Sequence, residues 1–412
     1  MEEKKHEDYP FLQETIKDEV KDARKTGRFV LSWVLRGLIL GSIASLVFAV
    51  SKPLIDKYYG GDAREIKLAE EIEAEPGEDP GADTSEEAPV TSEEDITQKK
   101  NKIANQTFQS LVTIYGIKPG ESWSVEAEQR NTVSGVILGE NSEDILIFAS
   151  VSVMRKTTDL RVTFVDGSTY KGFLKMRDGV TEMGIFTVRK DDMEESTKSA
   201  IAIAKLGSSK QTKRGEEVIL AGNPFGYSEG VGFGIISAIG ESTDLYDGTY
   251  SLLHTDILTT KEGTGVMVNM SGEIIGLLAP RFYPENTKTE VTGFGITDIK
   301  GRAEKLLNMQ NVPYIGIVGA VTTEEMVAAK VPEGVYVGHV GIDSPAMHAG
   351  IQKGDVLQKI GKTEIKEFAD YTNALLKVKP GKNVVIEGAR LGQGGEYVSI
   401  EYTVTVGTKE TK

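Results

Sequence analysis

From Asn101 onward the apolar residues of this chain fall in short β-rich runs closed by Gly, Asp and Asn, as in Arg161-Val162-Thr163-Phe164-Val165-Asp166-Gly167. Period-two runs bounded by turn residues read as strands, so an all-β barrel region is expected to end near Ile299. A helix-like segment from Lys300 to Asn308 then precedes a second module that begins at about Val312. With 412 residues, 39% hydrophobic and 26% charged, the chain can hold two or three domains with proper cores.

Upstream of the strands the sequence changes character. Phe29 to Val50 is almost continuously apolar, and roughly 22 residues at about 1.5 Å each match a hydrocarbon layer of about 30 Å. Arg36 is the one charge inside and can snorkel from the near end. Lys17, Lys21, Arg24, Lys25 and Arg28 crowd the leading side, with Lys52 and Lys57 after it. That bias predicts a cytoplasmic tail over 1–28, a single transmembrane helix over 29–51 and the remaining chain outside the cytosol, at a bacterial cell membrane. The rival reading is a cleaved signal peptide ending at Ala49-Val50-Ser51, against which stands the long, acid-containing leader. Residues 52–99 read as a charged segment, helical around Ala63 to Glu75, followed by an acidic tether.

Charge and composition narrow the function classes. The net charge is −15, and the twelve acids between Glu70 and Asp95, with no Lys or Arg among them, account for most of it. The rest is near neutral and shows no basic face, which argues against nucleic acid as a partner. The chain has no cysteine, which removes disulfides, thiolate metal sites and a cysteine nucleophile. Its four histidines are scattered, so neither a zinc site nor any cofactor is expected. Gly222, Gly226, Gly232 and Gly234 could suggest phosphate binding, but no Lys-Ser/Thr follows them, and β-turn glycines are the better account.

Five ordered blocks then stand out: Ser134-Gly135-Val136-Ile137, Ala221-Gly222-Asn223-Pro224-Phe225-Gly226, Gly234-Ile235-Ile236-Ser237-Ala238, Thr255-Asp256 and Gly272-Glu273-Ile274-Ile275-Gly276. Together they resemble the HtrA (DegP/DegS-like) family of trypsin-like serine proteases carrying PDZ domains, over about Lys102 to Val406. The resemblance implies a mainly β fold: a trypsin-like pair of six-stranded antiparallel barrels over 100–308, then an α+β PDZ domain over 312–406. It also implies membrane anchoring and trimers, with copies of itself or with relatives.

At the catalytic positions the chain departs from the family. The histidine position follows a strand like Ile145-Leu146-Ile147 and falls at or beside Ser150; the aspartate position falls at Glu182; the Gly-Asn-Ser-Gly-Gly block corresponds to Lys261-Glu262-Gly263-Thr264-Gly265, which puts Gly263 in place of the serine. No histidine lies between His6 and His254. A serine hydroxyl needs an imidazole to take its proton and a carboxylate to orient that imidazole. Loss of such a triad lowers turnover by about 10⁶-fold, about 8 kcal/mol of barrier. The reading is a degenerate triad and no proteolysis. An active endopeptidase using Ser150 or Thr264 with Lys261 stays open as the alternative. His254 reads as a wall of the old cleft, and Glu182 as a turn carboxylate.

In the second module, Tyr314-Ile315-Gly316-Ile317 resembles the carboxylate-binding loop of an HtrA-type PDZ domain, and Ser344-Pro345-Ala346, Ala349-Gly350-Ile351 and Lys353-Gly354-Asp355-Val356-Leu357 match its later signature. Successive N–H groups in such a loop can hold a terminal carboxylate while the adjacent strand edge adds the peptide as a further strand. Tyr314, Ile315, Gly316 and Ile317 are therefore the expected binders of peptide or protein C-termini, beside an amphipathic helix over Asp370 to Val378. The plainer alternative is that Ile315 and Ile317 only fill the core. The combined expectation is a membrane-tethered pseudoprotease that grips peptides or unfolded envelope proteins, in quality control or its regulation.

Overall fold

The computed structural model describes residues 65–68, 93–117, 131–154, 157, 159–259, 263–278 and 289–409. The tail 1–28, the apolar span 29–51, most of the acidic linker and Lys261 lie outside the described residues. Among those that are described, no helix is long and apolar enough to cross a membrane.

Helix α1 (Glu93–Phe108) opens the folded region inside the segment read as linker, and it turns Ile103 and Ala104 into the core. The first sheet follows: β1 (Leu111–Ile117), β2 (Thr132–Glu140), β3 (Asp144–Ser150), β4 (Asp159–Thr163), β5 (Thr169–Lys171), β6 (Phe173–Arg177) and β7 (Met183–Arg189). The pairing order is β5-β4-β1-β2-β3-β7-β6. Two of these seven strands are halves of one. Only Gly172 separates β5 from β6; a Cβ there would stand 2.8 Å from Val162 Cγ2, and without it the strand bends from β4 across to β7. Among the described residues this sheet is therefore built from six continuous antiparallel strands, one of them folded at a glycine.

Helix α2 (Glu195–Ala200) leads to the second sheet, made of β8 (Glu217–Asn223), β9 (Gly230–Ala238), β10 (Ser242–Leu245), β11 (Gly248–Thr259), β12 (Thr264–Val268), β13 (Ile274–Leu278) and β14 (Thr289–Gly295). Its order is β10-β11-β14-β13-β12-β8-β9, and a β9–β11 pairing closes it on itself. Here too β9 and β10 pair with one strand, β11, on either side of the bend at Gly240. Both bodies are barrel-like and antiparallel. Buried residues of each, including Val136, Leu146 and Phe148 with Ile219, Val266 and Phe294, share one core, and each such side chain removed from water contributes about 1.5–3 kcal/mol.

Helix α3 (Ile296–Leu307) starts four residues before the predicted Lys300, because β14 ends at Gly295 and not at Ile299. The Asp298 carboxylate accepts the Ser251 N–H at 2.7 Å and fixes this first turn against β11. Ile299, Ala303, Leu306 and Leu307 bury the other face. Residues 65–68, placed by the sequence in a helical stretch, are not helical. Asn308 at the end of α3 pins them, accepting the Ile66 N–H and donating to the Ile66 carbonyl, each at 2.8 Å.

The last sheet comprises β15 (Ile317–Val321), β16 (Val335–Val340), β17 (Val356–Ile360), β18 (Thr363–Glu364), β19 (Asn383–Leu391) and β20 (Tyr397–Thr405), in the order β15-β16-β17-β19-β20 with β18 on β17. Helices α4 (Glu324–Ala328), α5 (Pro345–His348) and α6 (Phe368–Leu376) complete it. α6 begins two residues before the predicted Asp370 because that residue is the third of the helix and closes a capping box, its carboxylate accepting the N–H of the N-cap Glu367 at 2.9 Å. Asp355, in the Lys-Gly-Asp motif, is a buried staple: it takes Arg390 Nε and Nη2 at 2.7 and 2.9 Å, the Tyr402 hydroxyl at 2.6 Å and the Gln352 N–H at 2.7 Å.

Candidate functional site

Ser150 and Glu182 come together at one rim of the first barrel. Ser150 ends β3 opposite Met183 of β7, and the next N–H, of Val151, donates to the Glu182 carbonyl at 2.8 Å. The Ser150 hydroxyl is engaged locally, 3.0 Å from Ser152 Oγ. Glu182 occupies a left-handed conformation, φ 58°, at the end of a tight turn organised by Asp178. Asp178 accepts the Val180 N–H at 3.0 Å and the Thr181 hydroxyl at 2.9 Å.

Gly263 sits in the second barrel, just before β12. A Cβ on it would run into the Pro224 carbonyl oxygen, with Thr259 Oγ1 2.8 Å away. The backbone therefore admits no side chain at this position without moving. Thr264 next to it is 7% exposed, and its hydroxyl accepts the Ser134 N–H at 2.9 Å, so it ties β12 to β2 across the two barrels. His254 on β11 places Nδ1 3.0 Å from the Thr292 hydroxyl and Nε2 3.2 Å from a Glu241 carboxylate oxygen. A cavity of about 630 Å³ lies between the barrels, bounded by Phe108, Ser134, Phe164, Gly222 and Val231; Ser150, Glu182 and Gly263 are not among its lining residues. No cluster able to hold a metal ion occurs among the described residues.

The second candidate site is the loop Tyr314-Ile315-Gly316-Ile317. The Ile315 and Ile317 side chains are fully buried, so the loop offers its backbone alone. Its carbonyls are spent inward: Ile315 O accepts the Ala346 N–H and Gly316 O the Gly341 N–H, each at 2.8 Å. Gly316 has φ 90°, and a Cβ there would lie 2.5 Å from Ser344 Cβ, so glycine alone allows this curl. The curl leaves three successive N–H groups facing one way, an anion-binding nest.

That nest is filled by Asp247, at the tip of the β10–β11 hairpin of the second barrel. Its Oδ2 accepts the N–H groups of Ile315 and Gly316, each at 2.8 Å, and its Oδ1 accepts that of Ile317 at 3.1 Å and the Tyr371 hydroxyl at 2.7 Å. Burial pushes the Asp247 carboxyl above its ordinary pKa, opposed by these four donors, and burial beside Asp247 raises the Tyr371 hydroxyl in turn. Arg302 of α3 secures the tip from behind, with Nη2 3.3 Å from the Tyr246 carbonyl and 3.2 Å from that of Asp247. In sequence, Asp247-Gly248 reads as a hairpin turn; nothing local announces that the side chain reaches a loop 68 residues on.

Comparisons with known proteins fit this organisation. Residues 133–277 match the trypsin-like peptidase domain family and residues 313–403 the PDZ domain family. Serine protease Do-like HtrB of Bacillus subtilis is 28% identical over 336 residues, covering 72% of this chain and 70% of the relative. Serine endoprotease DegS of Haemophilus influenzae is 24% identical over 313 residues, 74% of this chain and 87% of the relative. Among solved structures, the HtrA-type protease AlgW with decapeptide superposes with a TM-score of 0.52 at 18% identity, over 76% of this chain and 99% of that one.

Proposed function

We propose, taking the HtrA-type order of a trypsin-like peptidase domain followed by a PDZ domain as the premise, that this protein binds polypeptides without cutting them. In this reading it is a membrane-anchored pseudoprotease facing the cell envelope, and the PDZ domain takes peptide or protein C-termini. The architecture is consistent with envelope protein quality control. The observation that carries the reading is at Gly263: the residue that the resemblance puts in the nucleophile position has no side chain, and the backbone around it leaves no room for one. The first barrel, moreover, has no histidine to act as base. An acyl transfer without attacking oxygen or proton acceptor has no route at neutral pH.

Binding follows from the PDZ geometry. β15 ends the sheet order, so past Ile317, whose N–H and carbonyl are both taken by Asp247, one of its edges carries no further strand among the described residues, and it begins at the N–H nest. Edge pairing supplies affinity and the nest selects a terminal carboxylate. Trimers with copies or with active relatives would give such a binder a regulatory role.

A second reading is favoured by the relatives, which bear the names of serine proteases and endoproteases: an active serine-type endopeptidase with non-standard residues such as Ser150 or Thr264. The full chain, incubated with casein and with a fluorophosphonate probe, decides between them. Absence of both cleavage and labelling is expected; labelling of any serine or threonine, lost on its replacement by alanine, would establish the second reading.

A further inference from the structure

We infer that Asp247 is an internal ligand of the PDZ carboxylate loop, which a chain terminus can occupy only by displacing it. The inference rests on the reading of that loop as a C-terminus site, and it adds what controls access.

Asp247 supplies both groups that the last residue of a peptide would bring. Its carboxylate takes the three loop N–H groups, and its own backbone N–H donates to the Ile317 carbonyl at 2.8 Å, at the first position of β15. It is wholly buried, so the nest has no room for a second carboxylate while Asp247 is in place. The residue is held in a left-handed conformation, φ 56°, which a non-glycine residue adopts at a cost that the surrounding contacts must offset. The tip is also braced by aromatic contacts: Tyr246 meets Tyr314 edge to face at 5.9 Å, and Lys409 Nζ lies 4.9 Å and 5.3 Å from the two ring centroids.

Displacement would be felt beyond the loop. When the tip leaves, Arg302 loses the Tyr246 and Asp247 carbonyls and keeps Asp178, the residue that organises the turn carrying Glu182. A carboxylate covalently tethered at the nest competes at high effective concentration, and apparent affinity for an incoming ligand falls by the fraction of time the nest is open. The ligand class is a polypeptide with a free terminal carboxylate; amidated or internal segments lack the group that replaces Asp247.

The test uses the full chain in detergent, as wild type, Asp247→Asn and Tyr371→Phe, with a pool of fluorescent decapeptides randomised at their last three positions. One pool carries free carboxylates and the other is amidated. Asparagine tolerates left-handed φ, and Tyr371→Phe removes one donor to Asp247 while leaving the nest whole; thermal melting checks that each variant is folded. The expected result is that Asp247→Asn binds the free-carboxylate pool at least about ten-fold more tightly than wild type, Tyr371→Phe falls between, and the amidated pool gains nothing. If Asp247→Asn does not fold, a gain in Tyr371→Phe supports the inference and its absence overturns it. Equal affinity of all three proteins for the free-carboxylate pool overturns the internal-ligand inference and leaves terminus binding standing. Absence of binding to either pool by every variant overturns both.

Discussion

Arg302 and Asp178 form a salt bridge with Nη1 and Oδ2 3.0 Å apart and side chains 3% and 2% exposed. One partner lies on the helix that leads to the PDZ domain, the other on the turn at the rim of the first barrel. Burial opposes the guanidinium charge, but Tyr250, Asp178 and Asp247 around it raise the Arg302 pKa overall.

Replacing Arg302 with methionine leaves the Asp178 carboxylate buried without its partner and frees two carbonyls. The expected cost is about 3–5 kcal/mol, measured as a lowered urea midpoint. Pairing Arg302→Met with Asp178→Asn should recover a large part of it, since the uncompensated charge is then gone; equal losses in single and double variants would contradict that account.

Acid should loosen the PDZ domain through Asp355. Burial works to raise its pKa, but the Arg390 side chain, the Tyr402 hydroxyl and the Gln352 N–H outweigh it and hold the carboxyl below the ordinary aspartate range. Because the folded value is depressed, the stabilisation is fully present above the unfolded pKa of about 3.9 and is lost as pH falls through the folded one. Urea midpoints recorded from pH 6 to pH 2 should show that Asp355→Asn is less stable than wild type at pH 6 and that the gap narrows on acidification.

Gly263→Ser would place a hydroxyl at the position proposed for the nucleophile. The Pro224 carbonyl and Thr259 stand where the new Cβ must go, so the variant should lose about 1–3 kcal/mol of stability and remain unlabelled by a fluorophosphonate. A stable, labelled Gly263→Ser protein would mean that the backbone opens readily and that the scaffold needs only its oxygen.

Gly316→Ala should cost more than Gly350→Ala. Both glycines have positive φ, 90° and 86°, but a Cβ at 316 meets Ser344 Cβ at 2.5 Å, whereas one at 350 meets nothing within 4 Å. The control isolates the left-handed penalty, about 1–2 kcal/mol; the surplus at 316, read from the two melting curves, reports the crowding beneath the nest.

Much of this was legible in the sequence because it is local. Within β4, Arg161, Val162 and Thr163 alternate in burial as their spacing predicts, and Gly316 had to be a glycine wherever the loop curled. Element starts were less legible. α3 begins at Ile296 because Asp298 is recruited by Ser251 of another strand, a contact that no helical period encodes. The bend of the strand at Gly172 depends on the opposing Val162, a neighbour from another strand that no local period encodes. Least legible was Asp247: an Asp-Gly pair is an ordinary turn signal, and its second role depends on a partner loop brought near by the whole fold.

Asn308 closes the last turn of α3 and at the same time clasps the backbone of Ile66. A pull on the chain ahead of Glu65 would therefore reach the C-terminal end of α3, the helix that carries Arg302 and precedes the PDZ sheet, before it reached any strand of the barrels.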